Sequence, residues 1–194
     1  MPRAVGVLAL QGGFAAHARA IEEIGVRAVL VRRPADLCGA DALVLPGGES
    51  TAQLRLIDRE GLAGPLRAFV ASGRPVLATC AGLILAAARV TQPGQPSFGW
   101  IDVAVARNAW GRQVASFEAT SDDGAHPLLF IRAPRIVEVG AGVLVLATFR
   151  GEPVLVRQGL VTGATFHPEL TADRAVHRDA LAAVVAAPAV TPSL

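Results

Sequence analysis

The chain has 194 residues, 52% of them hydrophobic, and a mean hydropathy of +0.46, a composition that excludes a disordered protein and supplies one well-buried domain over residues 1–194. All 18 basic residues are arginine and the formal net charge is only +2, so scattered charge argues against nucleic-acid binding, and the absence of lysine excludes a side-chain Schiff base or a P-loop lysine. Two cysteines, Cys38 and Cys80, with no CxxC pair, exclude a disulfide scaffold or a zinc ribbon and suit a reducing cytoplasm.

The first apolar run, "AVGVLAL" from Ala4 to Leu10, reads as a buried strand and not as a signal peptide, because it lacks a polar cleavage region and leads into an amphipathic pattern. "GFAAHARAIEEIG" reads as a helix, "VRAVLVR" as a second strand and "DALVLPGG" as a third. Helices follow at Ser50 to Arg59 and Leu62 to Ser72, then "PVLAT" as a fourth strand. This rhythm predicts an α/β fold with a doubly wound, mostly parallel central sheet and helices on both faces. No apolar run reaches the roughly 18 residues of a membrane span.

The second half changes character. "FGWIDVAVARN", "LLFIRAPRIVEVG", "GVLVLATFRGEPVLVRQG" and "LVTGATFHPEL" are β patterns broken by Gly and Pro, which predict added antiparallel strands and hairpins. "TADRAVHRDALAAVVAA" predicts a closing helix, and residues 188–194 a frayed tail.

Ligands of open α/β sheets collect beyond the carboxyl ends of the parallel strands. Cys80 falls there, between "PVLAT" and a second apolar run. Free cysteine is often simply buried, but at a strand-to-helix turn its sulfur meets helix N-terminal amides, and Ala78, Ala81 and Gly82 are the small neighbours a nucleophile elbow needs. In "TFHPEL", extended backbone would project His167 and Glu169 to one face, giving a base and its orienter. The paired glycines of "LPGGES" suit backbone donors for an oxyanion. His17, His126 and His177 lack such a setting and read as surface or capping histidines.

Together "LALQGGFAAH", "LVLPGGEST", "TCAGLIL", "RNAWGRQVASFE", "FIRAPRI" and "ATFHPELT" resemble the class I glutamine amidotransferases, and within them the family of glutaminase subunits of pyridoxal 5′-phosphate synthase. Many class I domains carry C-x-G-x-Q at the nucleophile; here the last position is Ile84, which favours the vitamin B6 branch. The resemblance implies a flavodoxin-like fold with Cys80 as nucleophile, His167 as base and Glu169 as its orienter. It implies an oxyanion hole from Gly48 and Ala81, glutamine binding by Gly48, Glu49, Ser50, Arg107, Ile131 and Arg132, and partner sensing by Gln11. An arginine fork suits the glutamine α-carboxylate, with either Arg107 or Arg132 as its source. L-glutamine is then the substrate, and ammonia passes to a separate (β/α)8 synthase subunit in a hetero-oligomer. No metal, cofactor, membrane or nucleic acid is implied. Other readings of the same residues are a cysteine peptidase, a glutaminase serving another synthase, or a non-catalytic regulatory module.

Overall fold

The computed structural model describes residues 3–107 and 116–185. Most of the "RNAWGRQVASFE" motif, the tail 188–194 and the end of the expected closing helix lie outside the described residues.

The first half builds strands β1 (Ala4–Leu8), β2 (Arg27–Val31), β3 (Ala42–Leu45) and β4 (Val76–Thr79), with helices α1 (Phe14–Glu23), α2 (Ser50–Arg59), α3 (Ala63–Ala71) and α4 (Ala81–Ala86). The second half adds β5 (Ala87–Thr91), β6 (Ile101–Ala106), β7 (Ser116–Thr120), β8 (Pro127–Ile131), β9 (Arg135–Val139), β10 (Leu144–Phe149), β11 (Glu152–Gln158) and β12 (Val161–Ala164), then α5 (Ala175–Ala180) and α6 (Ala182–Val185). The central sheet has seven strands in the order β10-β11-β12-β4-β3-β1-β2. Its members from β12 to β2 are parallel, and β11 and β10 extend it antiparallel. The late strand β12 therefore returns to the middle of the sheet and lies beside β4. Two smaller sheets, β5-β6-β9 and the β7-β8 hairpin, complete the second half.

Alternating side chains explain why β1, β3 and β4 read as unbroken apolar runs. Leu43, Leu45, Val76 and Ala78 face one cluster with Ile57, Leu66, Phe69 and Leu83 from α2, α3 and α4. Val5, Val7, Val44 and Leu77 face the other, with Ile21 of α1 and Val176, Leu181 and Val184 near the C-terminus. Both faces are covered by helices, as a doubly wound sheet requires. Each fully buried leucine or phenylalanine stabilises the layers by about 1.5–3 kcal/mol over its exposed state.

Three segments depart from the sequence pattern. After Cys80 the helix lasts only six residues before β5 begins, a strand the pattern did not announce because its side chains from Ala88 to Thr91 are largely exposed. The His167–Pro168–Glu169 segment is not extended; β12 stops at Ala164 and a 3-10 turn spans Pro168–Leu170, with proline's fixed φ at its first position. The closing helix begins at Ala175, whose N–H is taken by the Asp173 carboxylate at 2.8 Å, and is interrupted at Leu181. Among the described residues no helix is long and apolar enough to cross a membrane.

Candidate active site

Cys80 closes β4 and opens α4 with φ 47 and ψ −105, a conformation that costs a non-glycine residue on the order of 1–3 kcal/mol and is retained where neighbours enforce it. Two neighbours do so. The Cys80 N–H donates to Ala164 O at 2.8 Å, which ties the turn to β12. On the other side Gly82 brings α4 so close to β3 that a Cβ there would lie 2.1 Å from Leu45 O. The thiol points toward the Ile131 carbonyl, 3.9 Å away.

The 3-10 turn at Pro168 does what an extended segment was expected to do. His167 and Glu169 come together, with Nδ1–H of His167 donating to Glu169 Oε1 at 2.7 Å. Glu169 is buried and ends up behind the imidazole, so that His167 alone of the two reaches the pocket. Burial lowers the pKa of His167, but its contacts with Cys80 and Glu169 outweigh this and raise it to about 10. The Nε2 atom of His167 is buried and has no hydrogen-bond partner among the described residues. Burial also raises the pKa of Glu169, and the neighbouring His17 and His167 reverse that shift and hold the group below its ordinary range as a carboxylate.

A cavity of about 210 Å³ is lined by Gln11, Gly48, Glu49, Ser50, Cys80, Ile84, Arg107, Ile131, Arg132 and His167. Every residue anticipated in the site borders it except Ala81 and Glu169, which lie buried directly beside Cys80 and His167. Ile84 was noted only as a departure from C-x-G-x-Q; one helical turn beyond Cys80, it forms part of the wall. Gly47 packs under the imidazole, where a Cβ would fall 2.3 Å from His167 Cε1. The turn that follows is held by Gln11, whose Oε1 accepts from the Glu49 N–H at 2.8 Å, while Gln53 donates to Gln11 O and Pro46 O. Glu49 caps α2 through the amides of Thr51 and Ala52, and Arg107 Nη2 reaches Glu49 Oε1 at 3.4 Å and Thr51 Oγ1 at 3.3 Å. Ser50 donates to Gln95 Oε1, a contact from a loop the sequence did not mark.

Two histidines read as surface or capping residues are neither. His17 and His177 are fully buried. His17 Nδ1 lies 3.0 Å from His177 Nε2, and His17 Nε2 lies 3.0 Å from Thr79 Oγ1 and 3.2 Å from Glu169 Oε2. Burial lowers His17 to about 4 and His177 to about 3. The signal was present in the spacing: Phe14, His17, Ile21 and Ile24 share one face of α1, so His17 occupies a core position.

A doubly wound sheet that presents a cysteine at a strained strand-to-helix turn, beside a buried histidine–glutamate pair, has the architecture of a class I glutamine amidotransferase. The chain belongs to the SNO glutamine amidotransferase family, which it matches over residues 7–185. It is 53% identical over 174 residues to the pyridoxal 5′-phosphate synthase subunit PdxT of Geobacillus kaustophilus (strain HTA426), covering 87% of this chain and 88% of that one. With the subunit of the same name from Geobacillus thermodenitrificans (strain NG80-2) it shares 51% identity over 179 residues, 90% and 91% of the two chains. A crystal structure of a glutamine amidotransferase superposes with a TM-score of 0.86 at 43% identity, over 94% of this chain and 99% of the other.

Proposed function

We propose that the chain works as a single glutaminase domain, hydrolysing L-glutamine to L-glutamate and ammonia in the cytoplasm and handing the ammonia to the synthase subunit of a pyridoxal 5′-phosphate synthase in vitamin B6 biosynthesis. One observation carries the chemistry: Cys80, on a strained turn, shares a pocket with an imidazole that Glu169 fixes from behind. The names and identities of the relatives support the substrate and the pathway.

In the first half-reaction His167 holds the proton of the Cys80 thiol while the sulfur attacks the carbonyl carbon of the glutamine side-chain amide. Negative charge develops on the amide oxygen, where the N–H groups of Gly48 and Ala81 serve as donors. His167 returns the proton to the leaving nitrogen, the C–N bond breaks, and ammonia departs from a γ-glutamyl thioester. Water then attacks the thioester with His167 as base, and the sulfur leaves with the proton. Glutamine is held by the Gly48–Glu49–Ser50 turn and by Ile131, while Arg107 and Arg132 at the pocket offer its α-carboxylate a planar fork.

Gln11 holds the glycine turn through Glu49, so a partner that docks beside Gln11 reaches the oxyanion donors directly. The synthase subunit, a (β/α)8 barrel joined in a hetero-oligomer, is that partner in this reading, and its docking turns the Gly48 amide toward the substrate. A missing oxyanion donor costs roughly 100- to 1,000-fold in rate. Ammonia release from glutamine, measured for the chain alone and with stoichiometric synthase subunit, should rise by that order on mixing. Full activity alone removes the gating step and leaves hydrolysis standing; no ammonia in either case overturns the proposal.

A further inference from the structure

The buried cluster behind Glu169 has a polarity that its hydrogen bonds define. Among the described residues His177 Nδ1 is buried without a partner, an arrangement far less costly for a bare nitrogen than for an orphaned N–H donor. The proton of His177 is therefore on Nε2, and it is donated to His17 Nδ1 at 3.0 Å. His17 in turn carries its proton on Nε2, which donates to Thr79 Oγ1 at 3.0 Å and lies 3.2 Å from Glu169 Oε2. That carboxylate oxygen is buried and, among the described residues, has no hydrogen-bond partner, the His17 ring lying against it without an aligned N–H. Thr79 immediately precedes Cys80, so the same imidazole touches the strand that presents the sulfur and the carboxylate that orients the base.

We propose that His17, braced by His177, is a positioning residue of the active site: its ring, fixed by Thr79 and His177 and packed 3.2 Å from Oε2 of Glu169, confines the carboxylate and thereby keeps Oε1 on the Nδ1–H of His167. The inference rests on the reading of Cys80, His167 and Glu169 as the catalytic triad. A carboxylate bonded through one oxygen can rotate about its Cγ–Cδ bond and swing the imidazole with it; one whose second oxygen is walled in by a fixed ring cannot. The groups around Glu169 are His167 on the pocket side, itself facing Cys80, His17 from α1, His177 from α5 and, further out, Arg174. Burial keeps both rear histidines uncharged at neutral pH, so the His17 ring, donating to Thr79, packs against the carboxylate without adding a second cation beside it. The His17 ring thus confines Glu169 while leaving its charge to His167.

Two amide variants separate position from packing. In His17→Gln the side-chain NH2 reaches the place of Nε2, whereas in His17→Asn it reaches only as far as Nδ1. Ammonia release is measured on the complex with the synthase subunit, with Cys80→Ala as the reference for loss of the triad itself. His17→Asn should lower kcat by roughly 10- to 100-fold with KM unchanged, the scale expected when a catalytic group is misplaced by up to about 1 Å. His17→Gln should stay within roughly fivefold of the parent. In a Glu169→Ala background the His17→Asn change should have no further effect, because the group it positions is gone. Equal losses for Gln and Asn, or losses that multiply with Glu169→Ala, overturn the positioning role. Undiminished turnover by Cys80→Ala would instead overturn the triad reading on which it rests. Should His17→Asn fail to fold, His177→Leu, which removes only the brace, is read in the same Glu169→Ala cycle with the same criterion.

Discussion

Glu169 separates two imidazoles that end in opposite states. On the pocket side His167, 2.7 Å from Oε1, is held protonated with a pKa raised to about 10. On the closed side His17, 3.2 Å from Oε2, is pushed down to about 4. The carboxylate is common to both, so the difference comes from what stands beyond each ring. His167 faces a thiol and a cavity; His17 faces a threonine hydroxyl and a second buried histidine within an apolar cluster. In the proposed mechanism one anion therefore flanks a proton that moves during the reaction and another that stays on its nitrogen. A charged ring is useful where charge must develop, and a neutral one where geometry alone is needed.

The largest expected effect comes from emptying the pocket side. Cys80→Ala removes the reacting sulfur and leaves both histidines in place, so glutamine-dependent ammonia release by the complex should fall by on the order of 10⁶-fold, the scale seen when a covalent nucleophile is lost. The melting temperature should barely move. Turnover close to that of the parent would break the assignment of the pocket side as the chemical one.

Removing the shared group comes next. Glu169→Ala leaves nucleophile and base but frees the imidazole, and the rate should fall by on the order of 10³- to 10⁴-fold, less than for Cys80→Ala. The variant also leaves the buried Nδ1–H of His167 without its acceptor, so it should be less stable than Cys80→Ala in chemical denaturation. An active and equally stable Glu169→Ala protein would show that the carboxylate belongs to neither side.

The two sides also differ in how far the sequence disclosed them. The strands β1, β3 and β4 were legible because burial on both faces demands unbroken apolar runs, and the pocket side followed because Cys80, the paired glycines Gly47–Gly48 and His167 all lie at strand ends. The His–Glu pair was found for a reason only half right: its residues meet across a 3-10 turn started by Pro168, not along an extended strand. The closed side stayed hidden because its members come from α1, β4, α5 and the turn after β12, and no local pattern states that those elements converge. A polar residue on the apolar face of a helix was the available signal, shown by His17 beside Ile21 and by His177 between Val176 and Ala180. The strand β5 escaped for the opposite reason, since an exposed edge needs no apolar code.

The protonation difference should leave its own, smaller mark on stability. In the unfolded chain His17 and His177 take up protons near pH 6.5, whereas in the folded protein they stay neutral until about pH 4 and about pH 3 because burial opposes the charge. Between pH 6.5 and pH 4 the unfolded state thus binds more protons, and stability must fall as the pH falls. Each pH unit between folded and unfolded values is worth about 1.4 kcal/mol, so His17 alone contributes a loss of about 3 kcal/mol across this window. His167 has the opposite sign. Its raised folded value gives stability that is complete below pH 6.5 and is lost as the pH climbs toward 10, and since it is protonated in both states between pH 4 and 6.5 it does not mask the acid limb. Glu169, held below the ordinary carboxylate range, adds its share only at the acid end. Urea unfolding of the chain from pH 4.5 to 8.5 should give a maximum near pH 6.5 with a descending limb on each side. His177→Leu should flatten the acid limb, removing one of its titrating groups and leaving the alkaline limb unchanged. A wild-type acid limb that is flat, or one that His177→Leu leaves as steep as before, would show that the closed side carries no fixed-proton pair.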